Sequence, residues 1–219
     1  MRKALIISAI LVIWVGSAVL ADGNTNSNAV ITLNAITPSP HRPVCEFGGL
    51  QPCSTYQVHS DRLVSTHTVY IIVAHGDSSA GVGGVSFGVE LGPSTFAGFE
   101  SCADMELPSE GWPASGTGNQ LTWNVDTNCQ RNSGSDGVKA IIGAFFVFAY
   151  ADSDYVKITS NNTVAQPKLS VTDCSGVESE ILAPGGMLGF LSLLGFNPCL
   201  DSTPVEPSTW SKIKARYGN

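Results

Sequence analysis

The chain has 219 residues, with 11 Lys and Arg against 18 Asp and Glu, a formal net charge of −7 and only 13% charged residues. Its 43% apolar share is enough to bury a core, which excludes a mainly disordered chain, and its length fits one or at most two domains. The acidic balance argues against a nucleic-acid binder, because such proteins gain most of their affinity by neutralising phosphates with Lys and Arg.

At the N-terminus, Arg2 and Lys3 precede the apolar run Ala4 to Leu20, which ends in small residues at Ala18 and Ala21. A positive start, an apolar middle and an A-x-A-like end read as a secretory signal peptide over residues 1–21, cleaved after Ala21 or Ala18. An uncleaved membrane anchor is the competing reading, since the run approaches the ~20 residues needed to span a bilayer. The polar segment 22–28 that follows favours cleavage. Residues 1–21 hold two basic groups and no acidic one, so the exported chain is more acidic than the whole.

From residue 29 to about 200 the pattern is short β-branched and aromatic runs broken by Gly, Pro, Asn, Asp and Ser. This predicts an all-β fold, a single disulfide-stapled sandwich. The expected strands are Ala29–Ile36, Thr55–His59, Thr66–His75, Gly83–Leu91, Thr95–Cys102, Gln120–Val125, Val138–Tyr150, Tyr155–Thr159 and Lys168–Thr172. The six cysteines, Cys45, Cys53, Cys102, Cys129, Cys174 and Cys199, all follow the signal. An even count in an exported chain predicts disulfides, and closing short turn-rich loops favours the sequential pairing Cys45–Cys53, Cys102–Cys129 and Cys174–Cys199. No Cys-x2-Cys or His-x3-His spacing is present, so no metal is expected.

Several segments carry residues of types used in catalysis or metal binding. His67 and His75 share a face of one expected strand but lie about 26 Å apart along it, too far to share a ligand. Gly84–Gly88 matches the G-x-S-x-G pattern around Ser86, yet it reads as continuous strand and no His follows it, so no catalytic residue is assigned there. The Gly76–Ser79 turn resembles a nucleophile loop, but the His residues before it are too close for a two-barrel protease. An extracellular glycoside hydrolase needs carboxylates on opposite sides of a bond. Asp104/Glu106 and Asp152/Asp154 are paired acids, but positions two apart on a strand point the same way, so neither pair alone gives that geometry. Asn132–Gly137 partly echoes a calcium loop without its final acid.

Trp112, in a Gly- and Ser-rich loop, is the better candidate ligand platform, and Trp123 the better core residue. In Val138–Tyr150, strict alternation places Ile142, Phe146, Phe148 and Tyr150 on one face and Ile141, Phe145 and Val147 on the other. One set then fills a core. The other is either covered by loops or offers a row of rings, Phe146, Phe148 and Tyr150, for stacking on sugars or a partner's side chains. Leu182–Phe196 is apolar and glycine-broken, and is expected as a buried loop or irregular strand beneath the sandwich.

Thr68–Ala74, the turn after it and Gly81–Leu91, with Gly137–Val147 later, resemble cohesin-like and related extracellular bacterial sandwich modules. The likeness spans roughly residues 64–160 and implies a jelly-roll-like sandwich of about nine strands. It also implies a role in protein–protein or carbohydrate attachment outside the cell. The chain departs from cohesins in its expected disulfides and its Cys-bounded C-terminal segment. Thr203–Tyr217 is similar to short P-V-E-P-[ST]-T-W endings of exported bacterial proteins. Physically, residues 201–219 read as a Pro-rich linker and a short helix with Trp210, Ile213 and Tyr217 on one face. Lys212, Lys214 and Arg216 outnumber Glu206 there, which suits a tag for sorting or attachment machinery, a clip on the acidic body, or a frayed terminus.

The function expected from all this is a secreted or cell-surface binding or structural module, non-enzymatic and without cofactor. A carbohydrate-binding protein is the alternative and a glycoside hydrolase the third reading. The expected partner is an extracellular protein or glycan, with no nucleic acid and no stable membrane span after signal cleavage.

Overall fold

The computed structural model describes residues 24–36, 43–46, 51–93 and 95–201. The signal segment and the tail, with Trp210, Lys212, Ile213, Lys214, Arg216 and Tyr217, lie outside the described residues. The chain is nearly all-β and its strands form two sheets. The first sheet contains β1 (Val30–Ile36), β3 (His67–Gly76), β9 (Gly137–Phe148) and β5 (Phe96–Ser101) in that order, with β8 (Ser133–Gly134) paired to β9. The second follows the order β12 (Glu178–Glu180), β11 (Ser170–Thr172), β4 (Gly84–Leu91), β10 (Tyr155–Thr159), β13 (Met187–Phe190) and β2 (His59–Ser60), with β7 (Gly118–Thr122) on the other side of β4 and β6 (Met105–Pro108) beyond it. All these pairings are antiparallel except β13 with β2.

Alternation along each strand places one set of apolar residues between the sheets. Leu33, Ile71, Phe145 and Val147 from the first sheet meet Phe87, Leu121, Ile158 and Phe190 from the second in one buried cluster. Trp123 belongs to this core, with its indole N–H donating to the Cys102 carbonyl at 3.0 Å. The outer face of the second sheet is largely polar, with Ser86, Glu90, Gln120 and Lys157. The Tyr155 hydroxyl donates there to Glu90 Oε1 at 2.7 Å.

A second apolar layer lies on the outer face of the first sheet. Val30, Tyr70, Ile72 and Ala144 pack there beneath Val44, Cys53 and Tyr56. These covering residues come from the 3-10 turns Val44–Glu46 and Cys53–Thr55. Each turn also carries a cysteine bridged to a distant part of the chain. The observed bridges are Cys45–Cys102, Cys53–Cys199 and Cys129–Cys174, with Cα separations of 5.4, 5.8 and 5.8 Å. The sequential pairing is therefore wrong. Cys45 is carried onto the sheet beside the end of β5, and Cys53 beside the short helix α1 (Pro198–Asp201), so each meets a residue distant in sequence. Cys129 and Cys174 flank Val82, whose backbone exchanges hydrogen bonds with Gln130 at 2.9 Å in both directions.

Leu182–Phe196 supplies the regular strand β13, with Leu188 and Phe190 in the core, while Leu182 and Leu194 are exposed. Of the stretch expected as strand Thr55–His59, Thr55 ends the covering turn, Tyr56, Gln57 and Val58 are irregular, and strand begins only at His59–Ser60. Among the described residues, no helix is long and apolar enough to cross a membrane.

Candidate functional site

The central strand β9 is apolar on both faces, and each face meets a different environment. The pairing with β3 shifts between Ile71 and Ile72, where Gly143 and Ile141 are successive partners and Ile142 is the extra residue. A bulge of this kind changes the phase of alternation. Ile142 consequently points into the inner core with Phe145 and Val147, while Ile141, Ala144 and Phe146 face outward. This corrects the expected grouping of Ile142 with Phe146.

Along the outward row, cover thins toward the strand's end. Ile141 and Phe146 are half-buried in the second layer, whereas Phe148 is 38% exposed and Tyr150, just past the strand, 53%. On the neighbouring strand Gly98 is the register partner of Phe146, and a Cβ placed there would meet nothing within 4 Å. The Phe146 ring therefore borders open space on that side. Tyr150 is positioned by the turn into β10, where Asp154 Oδ2 accepts from the backbone N–H groups of Tyr150 and Ala151 at 2.8 and 2.9 Å. The outward face of β9 thus ends in the half-buried ring of Phe146 and the exposed ring of Phe148, with the exposed Tyr150 following just past the strand.

The structure places Trp112 elsewhere. Its ring is half-buried, with centroids 5.6, 5.3 and 5.8 Å from those of Phe87, Phe99 and Phe145. It closes one end of the inner core instead of presenting a platform.

The carboxylates are engaged as structural acceptors. Asp104 accepts from Asn124 N–H at 2.6 Å and from the Asn128 amide, Glu106 from the Asn119 amide at 2.7 Å, and Asp154 holds the turn just described. Asp152 is exposed on that turn. Ser86 lies mid-strand in β4, where its Oγ accepts from the Asn161 amide at 3.1 Å. The Gly76–Ser79 turn is organised by Asp77 Oδ1, which accepts from the N–H groups of Ser79 and Ala80 at 2.8 Å. The Ser79 hydroxyl, foremost, and these N–H groups hold the Asp77 carboxyl below its usual range. Asn132–Gly137 contains the hairpin joining β8 to β9, with Gly137 at φ 65°.

A second bulge in β3, between Val73 and Gly76, separates the two histidines that alternation puts on one face. His67 is buried against Phe190, ring centroids 5.0 Å apart, whereas His75 turns to the covering layer with its Nε2 3.4 Å from Cys53 Sγ. Cys53, His75 and Cys199 bring one potential ligand atom each within 4.8 Å of one another, a proximity that no sequence spacing signals. Asp136 supports this corner, accepting from Cys53 N–H at 2.8 Å and from Lys139 Nζ at 3.3 Å. Burial pushes the Asp136 carboxyl up, but Cys53 N–H, Lys139 and the His75 ring together bring it below its usual value. Burial, with the Asp136 charge second, pushes the Tyr56 hydroxyl up to about 12.

No family model matches the chain, and no curated protein matches it. Among solved structures it is similar to a cohesin module from a Clostridium perfringens ATCC13124 family 33 glycoside hydrolase, with a TM-score of 0.40, 11% identity and coverage of 74% of this chain and 97% of that one. It is also similar to a type II cohesin domain from the cellulosome of Acetivibrio cellulolyticus, with a TM-score of 0.38, 7% identity and coverage of 77% and 95%.

Proposed function

We propose that this chain is a secreted or cell-surface binding module, non-enzymatic, that engages an extracellular protein through the exposed end of the Phe146–Phe148–Tyr150 row. One observation carries the reading. At the end of a strand otherwise covered on both faces, the rings of Phe148 and, just past it, Tyr150 are exposed. Aromatic side chains fixed on a rigid element lose little entropy on binding and are typical anchors of protein interfaces. Elsewhere among the described residues, exposed Leu182 and Leu194 stand on loops, Leu200 on the short helix α1, and Met105 and Leu107 on the short strand β6.

The same rings suit a glycan, because a sugar's apolar face stacks on an aromatic face, and this is the second reading. The test presents immobilised chain lacking residues 1–21 to the co-exported proteins and, separately, to purified cell-surface glycans. Saturable binding of a protein that is lost in Phe148→Ser/Tyr150→Ser supports the first reading. Binding of glycans alone supports the second, and binding unaffected by the double substitution contradicts both.

A further inference from the structure

We propose that the Cys53–Cys199 bridge is a thiol–disulfide exchange site, opened by a dithiol reductant and re-formed on oxidation, while the other two bridges are structural. The distinction rests on what lies beside each sulfur. His75 Nε2 is 3.4 Å from Cys53 Sγ, so a protonated imidazole there stabilises a Cys53 thiolate. The Ser101 carbonyl oxygen lies 3.6 Å from Cys45 Sγ, and the Val82 carbonyl oxygen 3.4 Å from Cys129 Sγ. A carbonyl dipole that close disfavours a thiolate in both places.

Two further features suit a bridge that opens and closes. Cys53 is only 1% exposed whereas Cys199 is half-buried, so an incoming thiolate reaches Cys199 first and Cys53 is the leaving group. The geometry is also held without the bridge. The Asn197 amide donates to the Cys53 carbonyl at 2.8 Å, and Asn197 Oδ1 accepts from Thr32 Oγ1 at 3.1 Å and from Cys199 N–H at 3.0 Å. The two thiols therefore stay adjacent after reduction. His75 itself has φ 57°, a left-handed backbone fixed by its N–H donating to the Asp136 carbonyl at 2.7 Å. Unusual backbone of this kind is often kept where a side chain has to be aimed.

In the forward step, one thiolate of the dithiol attacks Cys199 Sγ, the Cys53–Cys199 bond breaks and Cys53 leaves as a thiolate beside the His75 ring nitrogen. The second thiolate of the reductant then attacks its own sulfur in the mixed disulfide and releases Cys199. The protein gains two electrons and two protons, and the reductant leaves as its cyclic disulfide. Because the reduced form is stabilised, this bridge is more easily reduced at equilibrium than the other two.

The test equilibrates the full chain in graded mixtures of reduced and oxidised dithiothreitol, traps thiols by alkylation and assigns each pair by peptide mass spectrometry. Cys53 and Cys199 are expected to open at a reduced-to-oxidised ratio at least tenfold lower than either other pair, about 30 mV for this two-electron couple. They are expected to re-form on return to oxidising buffer, with the near-ultraviolet circular dichroism of the fold retained throughout. His75→Asn, which tolerates the left-handed backbone, should move their midpoint at least tenfold toward more reducing mixtures. Three pairs opening together, prior opening of Cys45–Cys102 with its exposed Cys45, loss of the fold as the bridge opens, or a His75→Asn midpoint within twofold each overturns the proposal. If His75→Asn fails to fold, the order of opening in the unaltered chain decides.

Discussion

His67 has no exposed surface, and burial holds its pKa below the usual imidazole value, with only partial opposition from a backbone contact to Arg62. The unfolded chain takes up this proton near pH 6.5, while the folded chain refuses it until lower pH. The His67 contribution is therefore fully present above about pH 6.5 and is lost as pH falls toward the folded value. Asp77, Asp136 and Asp173 are likewise held low. For Asp173 burial opposes the shift, and the Ser175 hydroxyl and the N–H groups of Val177, Ser175 and Gly176 overcome it. Their contributions are lost only below about pH 4. Denaturant melts across pH should show both declines, with the upper one removed by His67→Gln, and an unchanged upper decline would contradict this assignment. Two rings three residues apart give a second residue-scale prediction. Phe145→Ala should cost about 3–5 kcal/mol, since the ring is wholly in the inner core. Phe148→Ser, half-exposed, should cost about 1 kcal/mol or less, and urea midpoints compare them.

Among the elements, β9 shows best what was readable beforehand. That its two faces are both apolar was visible in Val138–Tyr150, and so was the choice between loop cover and an exposed row. Both outcomes occur along one strand, covered at Ile141 and open at Tyr150. The assignment of Ile142 failed because a bulge leaves no mark in an apolar run, and the same limit separated His67 from His75. Long β-branched strands such as β1, β3 and β4 were legible within a residue or two. The short pieces β6, β8 and β12 were not, because pairing with a neighbour rather than apolar alternation makes them strands. Cysteine pairing was beyond reach, since it depends on which loops cross which sheet. The Cys129–Cys174 bridge closes a separation of 45 residues at the edge of β4. Replacing both cysteines by Ser should lower stability by about 2–4 kcal/mol, read from denaturant midpoints, and leave the other two bridges intact in non-reducing peptide maps.

Over the whole molecule, the low charged fraction has a structural counterpart. One sheet is sandwiched between two apolar layers, the inner core and the cover formed by Val44, Cys53 and Tyr56. The three bridges are compatible with an extracellular protein, and two of them start from that cover. The first sheet is thereby rigid, and its only large outward rings left exposed among the described residues of β9 and the turn after it are Phe148 and Tyr150. Trp112, the other candidate platform, is spent on the core. The central claim is that this uncovered end is the binding surface. Its most direct test is the dissociation constant of the captured extracellular partner for the unaltered chain and for Phe148→Ser/Tyr150→Ser, both checked for unchanged thermal melting. A weakening of at least about tenfold is the predicted result, the size expected of anchor residues at an interface. Equal affinity, within about twofold, would contradict it.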